Sequence, residues 1–231
     1  MAPVRKSIPA DPYPFPISGE FDPRRSALLI IDMQRDFCDA QGYMHARGDD
    51  IAAARALIPN IAAVRQAAWD SGIKVIYTRQ GVRPDLSDLP EDVRLKTALA
   101  GAEIGSLGPL GRLLVRGEPG WQIILELAPM AGETVIDKAG TGAFFGTDLY
   151  QVLLGSGVRN LILTGVTTGV CVQTTAREAA DRGFSVLILD DCCAEPEQNN
   201  HAMAVKLLTI EGGYLAARAS ASDFIRFSQN R

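Results

Sequence analysis

Leu161-Ile-Leu-Thr-Gly-Val-Thr-Thr-Gly-Val-Cys171-Val-Gln-Thr-Thr-Ala-Arg-Glu-Ala-Ala-Asp-Arg-Gly183 is the stretch on which the fold turns. It opens as a continuous apolar run, the pattern of a strand buried on both faces. It passes through Gly165-Val-Thr-Thr-Gly169, a turn of small residues, and resumes as a helix. Val172, Ala176, Ala179 and Ala180 fall on one side of that helix, Arg177, Glu178 and Asp181 on the other. Gly183 reads as its stop. Cys171 therefore stands where a buried strand hands over to a helix. In an open α/β sheet that is the carboxyl end of a strand, where sites gather. Free backbone N–H groups at a helix start favour a thiolate there. On this stretch alone two readings stay open: a nucleophile, or a small buried hydrophobe.

Working outward, Ser26-Ala-Leu-Leu-Ile-Ile31 is a second doubly buried strand, and it runs straight into Asp32. A carboxylate after such a run lies at the rim of the sheet, unless it only caps a following turn. Arg35 and Asp36 read as structural or solvated. A helix is expected over residues 51–71, capped by Asp49 or Asp50 and stopped at Gly72. The next strand covers residues 73–78, which makes a βαβ unit and implies parallel pairing. Residues 133–138 form a short strand ending on Lys138, followed by the glycine-rich Ala139-Gly-Thr-Gly-Ala-Phe-Phe-Gly146. Helices are expected over 147–154 and 199–210, with strands over 185–191 and near 214–217. Residues 81–120 hold several prolines and glycines and one short helix near 91–100. A loop of that length reads as a lid or an oligomer surface. The prolines within residues 1–20 forbid a helix or central strand. They leave an extended arm, on the body or on a neighbouring subunit, or a free tail. Residues 21–231 make a single domain.

Composition narrows the function classes. The 231 residues are 47% hydrophobic and 22% charged, with a net charge of −4. There is no basic run, so nucleic acid is not an expected partner. No apolar stretch approaches the roughly 20 residues that span a bilayer, so no membrane is expected either. Met1-Ala-Pro-Val-Arg-Lys6 lacks the apolar core of a signal peptide, so a cytoplasmic location is expected. The cysteines at 38, 171, 192 and 193 fit neither a disulfide framework nor a zinc site. Only two histidines occur, His45 and His201, so a Cys-His couple or a His-ligated metal would have to use one of them.

Three strands thus end on Asp32, Lys138 and Cys171. Together they make a coherent nucleophilic site: the carboxylate takes the thiol proton, the ammonium stabilises both anions, and the thiolate attacks a carbonyl carbon. Backbone N–H groups of the turn before Cys171 can hold the developing oxyanion.

Ile30-Ile-Asp-Met-Gln-Arg-Asp-Phe37, Asp137-Lys-Ala-Gly-Thr-Gly-Ala-Phe144 and Thr164-Gly-Val-Thr-Thr-Gly-Val-Cys171 resemble the three catalytic motifs of the isochorismatase-like cysteine hydrolases. The resemblance runs from about Asp11 to Phe224. It implies a Rossmann-like three-layer αβα sandwich around a mostly parallel six-stranded sheet. It makes Asp32 the general base, Lys138 its partner and Cys171 the nucleophile. It also implies a cis peptide at Val166–Thr167 and an oxyanion hole from the N–H groups of Thr167 and Cys171. Relatives are often tetrameric, so a homo-oligomer is expected. Nicotinamidases of this superfamily hold a metal with Asp and His after the first motif; the histidine pair is missing here, so no metal is expected, and no cofactor either. Cys38 matches an unreactive cysteine in relatives.

Asp11-Pro-Tyr-Pro14, Gly81-Val-Arg-Pro-Asp-Leu-Ser-Asp-Leu-Pro90, Arg116-Gly-Glu-Pro-Gly-Trp121 and Asp190-Asp-Cys-Cys193 resemble the biuret and triuret hydrolase branch, whose substrates are small planar ureas. Gly81 stands there in place of a histidine. Three further departures bear on specificity. Thr141 stands where that branch has a second lysine, Glu211 where it has glutamine, and Gly169 where relatives usually have aspartate. The first two remove a cation and add an anion. A buried carboxylate calls for a cationic partner. Guanylurea, a urea joined to a guanidine, is therefore the expected substrate, with Glu211 gripping the guanidinium. Biuret or triuret is the alternative if Glu211 is merely solvated or salt-bridged. The superfamily resemblance leaves ureidoacrylate or another N-carbamoyl compound as a further one, and members that have lost the nucleophile and serve as binding modules are the contrasting class. Phe37, Phe144 and Trp121 are candidate walls for a flat substrate, with core packing or subunit contact as equal readings.

Overall fold

Every residue of β1 (Ser26–Ile31) is buried. The computed structural model describes residues 7–229 of the chain, so the first six residues of the expected arm lie outside the described residues. After β1 come short helices α1 (Arg35–Cys38), α2 (Tyr43–Ala46) and α3 (Ala52–Ala56), then α4 (Ile58–Asp70). Strand β2 (Lys74–Gln80), α5 (Glu91–Leu99) and the two-residue strands β3 (Leu107–Gly108) and β4 (Gly111–Arg112) follow. The chain continues through β5 (Thr134–Lys138), α6 (Leu149–Gly155), β6 (Asn160–Val166), α7 (Gln173–Asp181), β7 (Ser185–Ala194), α8 (Gln198–Leu208) and β8 (Ala217–Ala219). A C-terminal helix covers Ala221–Gln229.

The main sheet has six strands in the order β5-β2-β1-β6-β7-β8. Every pairing in it is parallel, rather than most of them. Alternate residues of the central strands feed two separate cores. Leu28, Ile30 and Ile162 join Ile61 and Val64 of α4 and Phe224 and Phe227 of the C-terminal helix. Ala27, Leu29, Ile31, Leu161 and Leu163 join Leu149 and Leu153 of α6 and Ala176 and Ala179 of α7. Two apolar faces, each covered by helices, make the three layers.

The chain leaves β1 for β2 on one side and later returns to lay β6 on the other. The carboxyl ends of β1 and β6 thus flank the point where the winding reverses, the usual position of a site in such a sheet. Gly165 lets those two ends close together. A Cβ at that position would stand 2.0 Å from the carbonyl oxygen of Ile31, and its φ is +110°.

Several boundaries differ from the sequence expectation. The helix over 51–71 is two helices, with Leu57 between them and Pro59 in the first turn of α4. Proline fits that first turn because its missing N–H has no intrahelical acceptor there. The C-terminal helix was not anticipated. Its signal is the Ser220-x-x-Asp223 cap, in which Ser220 Oγ accepts the Asp223 N–H at 3.1 Å and donates to Asp223 Oδ2 at 2.6 Å. The described part of the arm lies on the body: Ile8 and Phe15 are fully buried, and Asp11 pairs with Arg218 beside β8. Much of the segment 81–120 is core as well, since Val82, Ile104, Leu113 and Val115 are buried.

Candidate active site

Asp32 leaves β1 with φ of +52°, a left-handed conformation costly for a residue with a side chain and concentrated at functional sites. Its carboxylate is completely buried. Oδ1 accepts the Thr78 hydroxyl at 2.6 Å, and Oδ2 stands 2.7 Å from Lys138 Nζ. Lys138 ends β5, two strands away from β1, a gap of about 10 Å. Only a long side chain spans it, and that of Lys138 does so with no exposure to solvent. Its remaining protons go to the carbonyls of Gly140 at 3.1 Å and Thr141 at 2.9 Å. Burial works against its charge, but Asp32 and Cys171 outweigh it and hold Lys138 above its ordinary value, so it stays an ammonium.

Cys171 lies in a π-helical turn, Thr168–Val172, and is buried. Its sulfur donates to Gln80 Oε1 at 3.4 Å. Burial pushes the thiol up to about 12, and the Asp32 carboxylate adds to that. Lys138 and the Thr167 N–H pull the other way and are outweighed. The helix-start effect expected from the sequence is therefore not the dominant one: the sulfur sits late in the turn and is sealed from water. The resting group is a thiol, with the Asp32 carboxylate close enough to raise it further. The peptide between Val166 and Thr167 is cis.

Gln80 was not foreseen. The sequence reading ended β2 at Thr78, whereas the strand runs two residues further and carries Gln80 to the rim, in register with Lys138. Gln34 fixes it there. Its Oε1 accepts the Gln80 N–H at 2.7 Å, and its Nε2 donates to the carbonyls of Gln80 and Trp121, each at 2.9 Å.

A narrow cleft opens at Thr167, with room for about 10 Å³, the space of a single water, and Asp32, Lys138 and Cys171 are not among its described lining residues. Phe37, Met44, Asp50, Val166, Thr167 and Glu195 are among its walls. Two of these are acids, and no basic side chain is among its described lining residues. Of the expected substrate contacts, Phe37 is in this wall, edge-on to Tyr43 with ring centroids 6.2 Å apart. Trp121 is buried, with the Arg79 guanidinium 3.6 Å from its ring centroid. Phe144 packs on Phe184 under Arg182. The Thr141 side chain is exposed while its carbonyl serves Lys138. Glu211 is exposed, in a left-handed conformation in the turn after α8, and is not among the cleft residues. Asp36 is structural: its buried carboxylate accepts the N–H groups of Tyr43 at 3.2 Å and Leu114 at 2.9 Å.

Among the described residues no three His, Cys, Asp or Glu side chains group closely enough to hold a metal ion. No helix of the described residues is long and apolar enough to cross a membrane.

The isochorismatase domain model matches residues 26–220. The ureidoacrylate amidohydrolase RutB of Variovorax paradoxus (strain S110) is 30% identical over 202 residues, which cover 84% of this chain and 77% of that protein. A cysteine hydrolase from Pseudomonas syringae pv. phaseolicola 1448A superposes with a TM-score of 0.76 at 25% identity, over 90% of this chain and 94% of that one. An isochorismatase family protein from Desulfovibrio vulgaris subsp. vulgaris str. Hildenborough superposes with a TM-score of 0.72 at 28% identity, over 86% of this chain and 95% of that one. By the extent of these matches, the chain belongs to the isochorismatase family of hydrolases.

Proposed function

We propose that the protein is a cysteine amidohydrolase that releases ammonia from a small planar urea, and that this urea is guanylurea. Asp32 takes the proton of the Cys171 thiol, and Lys138 stabilises the charges left behind. The sulfur attacks the urea carbonyl carbon, and the N–H groups of Thr167 and Cys171 hold the tetrahedral oxyanion. Asp32 returns the proton to the leaving nitrogen, the C–N bond breaks and ammonia departs. Water, deprotonated by Asp32, then attacks the thioester carbon. The product is carboxyguanidine, and the thiol is restored.

The observation that carries the substrate is the acidic cleft beside Thr167, walled by Asp50 and Glu195 with no basic residue among its described lining. Such a lining suits a cation. Ureidoacrylate, the substrate named for the Variovorax relative, bears a carboxylate of its own. That charge would face two acids in this cleft, which favours guanylurea over it.

The test is ammonia release by the purified protein from guanylurea, biuret and ureidoacrylate. Guanylurea is expected to have the highest kcat/KM. Turnover of biuret or ureidoacrylate with none of guanylurea overturns the reading.

A further inference from the structure

Glu195 is the first residue after β7, which runs on through Asp190-Asp-Cys-Cys193 to Ala194 instead of ending at Asp191. Those added residues carry Glu195 to the same edge of the sheet as Cys171. Its Oε1 accepts the N–H of Gly169, two residues before the nucleophile. The absence of a side chain at position 169 leaves room for this contact: a Cβ there would stand 3.0 Å from Glu195 Oε1. The sequence departure at Gly169, which removes a carboxylate from the nucleophile turn, is thus matched by a carboxylate reaching in from the next strand.

The second oxygen, Oε2, accepts no hydrogen bond from the described residues, while the side chain lines the cleft with Phe37 and Thr167. No salt bridge among the described residues neutralises it. His201 is the nearby basic group; burial holds it below its ordinary value, so it is neutral at pH 7. A half-buried carboxylate with one oxygen anchored and one free is suited to accept N–H donors from a cation.

Resting on the reading of the protein as a guanylurea amidohydrolase, we propose that Glu195 is its specificity-determining residue: one oxygen holds the turn that carries Cys171, and the other binds the guanidinium end of the substrate. The guanidinium then lies along the face of Phe37, and the urea carbonyl reaches the Thr167 N–H. This assigns to Glu195 the recognition that the sequence suggested for Glu211.

The test separates binding from turnover. Guanylurea and biuret affinities are measured calorimetrically on a Cys171→Ala background, with and without Glu195→Gln. Glutamine keeps an acceptor oxygen for the Gly169 N–H but removes the charge. Guanylurea affinity is expected to fall about tenfold or more, the worth of a charge-assisted pair, and biuret affinity to change less than about threefold. A carboxylate that only held the turn would weaken both ligands equally. That result, an unchanged guanylurea affinity, or no guanylurea binding by the Cys171→Ala protein overturns the proposal. Gly169→Ala provides a second route, because its Cβ displaces the carboxylate without changing charge. It is expected to weaken guanylurea several-fold more than biuret, and an equal effect on both counts against Glu195. Turnover by the unmodified enzyme stays a separate measurement. Guanylurea bound through Glu195 but not hydrolysed sinks the proposed activity and leaves this assignment standing.

Discussion

At the sheet rim, Asp32, Lys138 and Cys171 stand at the ends of β1, β5 and β6, sealed from solvent and held by a central sheet. In the cleft wall, Phe37, Asp50 and Glu195 come from a one-turn helix and two connecting segments, with Asp50 exposed and Glu195 half-buried. Strand ends are placed by a ladder of parallel pairs, and shifting one residue there would turn every side chain to the other face. Connecting segments carry no such constraint and change more readily. Under the function proposed above, the contrast divides labour: the rim would supply a reaction common to many amides, and the wall would select among them.

The sharpest way to break this division is to delete chemistry at the rim. Cys171→Ala or Asp32→Asn is expected to lower kcat/KM by at least about 10⁴-fold while leaving ligand affinity nearly unchanged. All four cysteines are buried, yet iodoacetamide followed by peptide mass spectrometry should find Cys171 modified ahead of Cys38, Cys192 and Cys193, because the Lys138 ammonium beside it favours its thiolate. Appreciable turnover by Cys171→Ala would place the nucleophile elsewhere, and by Asp32→Asn the base.

Next in size comes the stability of the rim itself. Lys138→Ala leaves the Asp32 carboxylate buried without its counterion, which costs about 3–5 kcal/mol. Denaturant midpoints should report that loss. Pairing Lys138→Met with Asp32→Asn should recover most of the stability and none of the activity. A Lys138→Ala protein as stable as the parent would mean that water reaches the pair.

The smallest effect probes the wall through Asp36, which ties α1, the helix of Phe37, to α2 and to Leu114. Burial raises its carboxyl to about 6, against the N–H bonds from Leu114 and Tyr43. The folded protein therefore binds this proton more tightly than the unfolded chain. Stability from this group is fully present below pH 4 and is lost as pH rises through about 6, by up to about 3 kcal/mol. Asp36→Asn, which does not titrate, should accordingly cost more stability at pH 4 than at pH 7 in urea melts. The opposite order, or no difference, would show an Asp36 held ionised by its N–H donors.

The same contrast governs what could be read from the residues alone. Ser26–Ile31 and the run from Leu161 are legible because a strand buried on both faces leaves an unbroken apolar signature, and each leads to a candidate side chain, Asp32 directly and Cys171 one turn further on. Lys138 is legible for the same reason, as a charge closing a strand. Gln80 is not, because the polar Arg79-Gln80 pair at the end of β2 looks like the start of a loop. Its place is set by the neighbouring strand and by the Gln34 clamp. Glu195 escapes notice because Asp190 and Asp191 resemble the end of β7, while the strand carries on beside β6 past an irregularity in register. Glu211 attracted attention through its charge, yet the chain turns it outward. Phe37 is identifiable only as an aromatic near the first motif, since packing and substrate contact leave the same mark in a sequence.

Lys138 carries a last consequence. An ammonium shut away from solvent leans on Asp32, two carbonyls and the neighbouring Cys171, and a chain lacking Lys138 or Asp32 opens more often. In a cell, such chains would meet proteases before they met substrate. Faults at this pair would thus surface as scarcity of the polypeptide, and few intact but inert copies would accumulate to occupy ligand or partners.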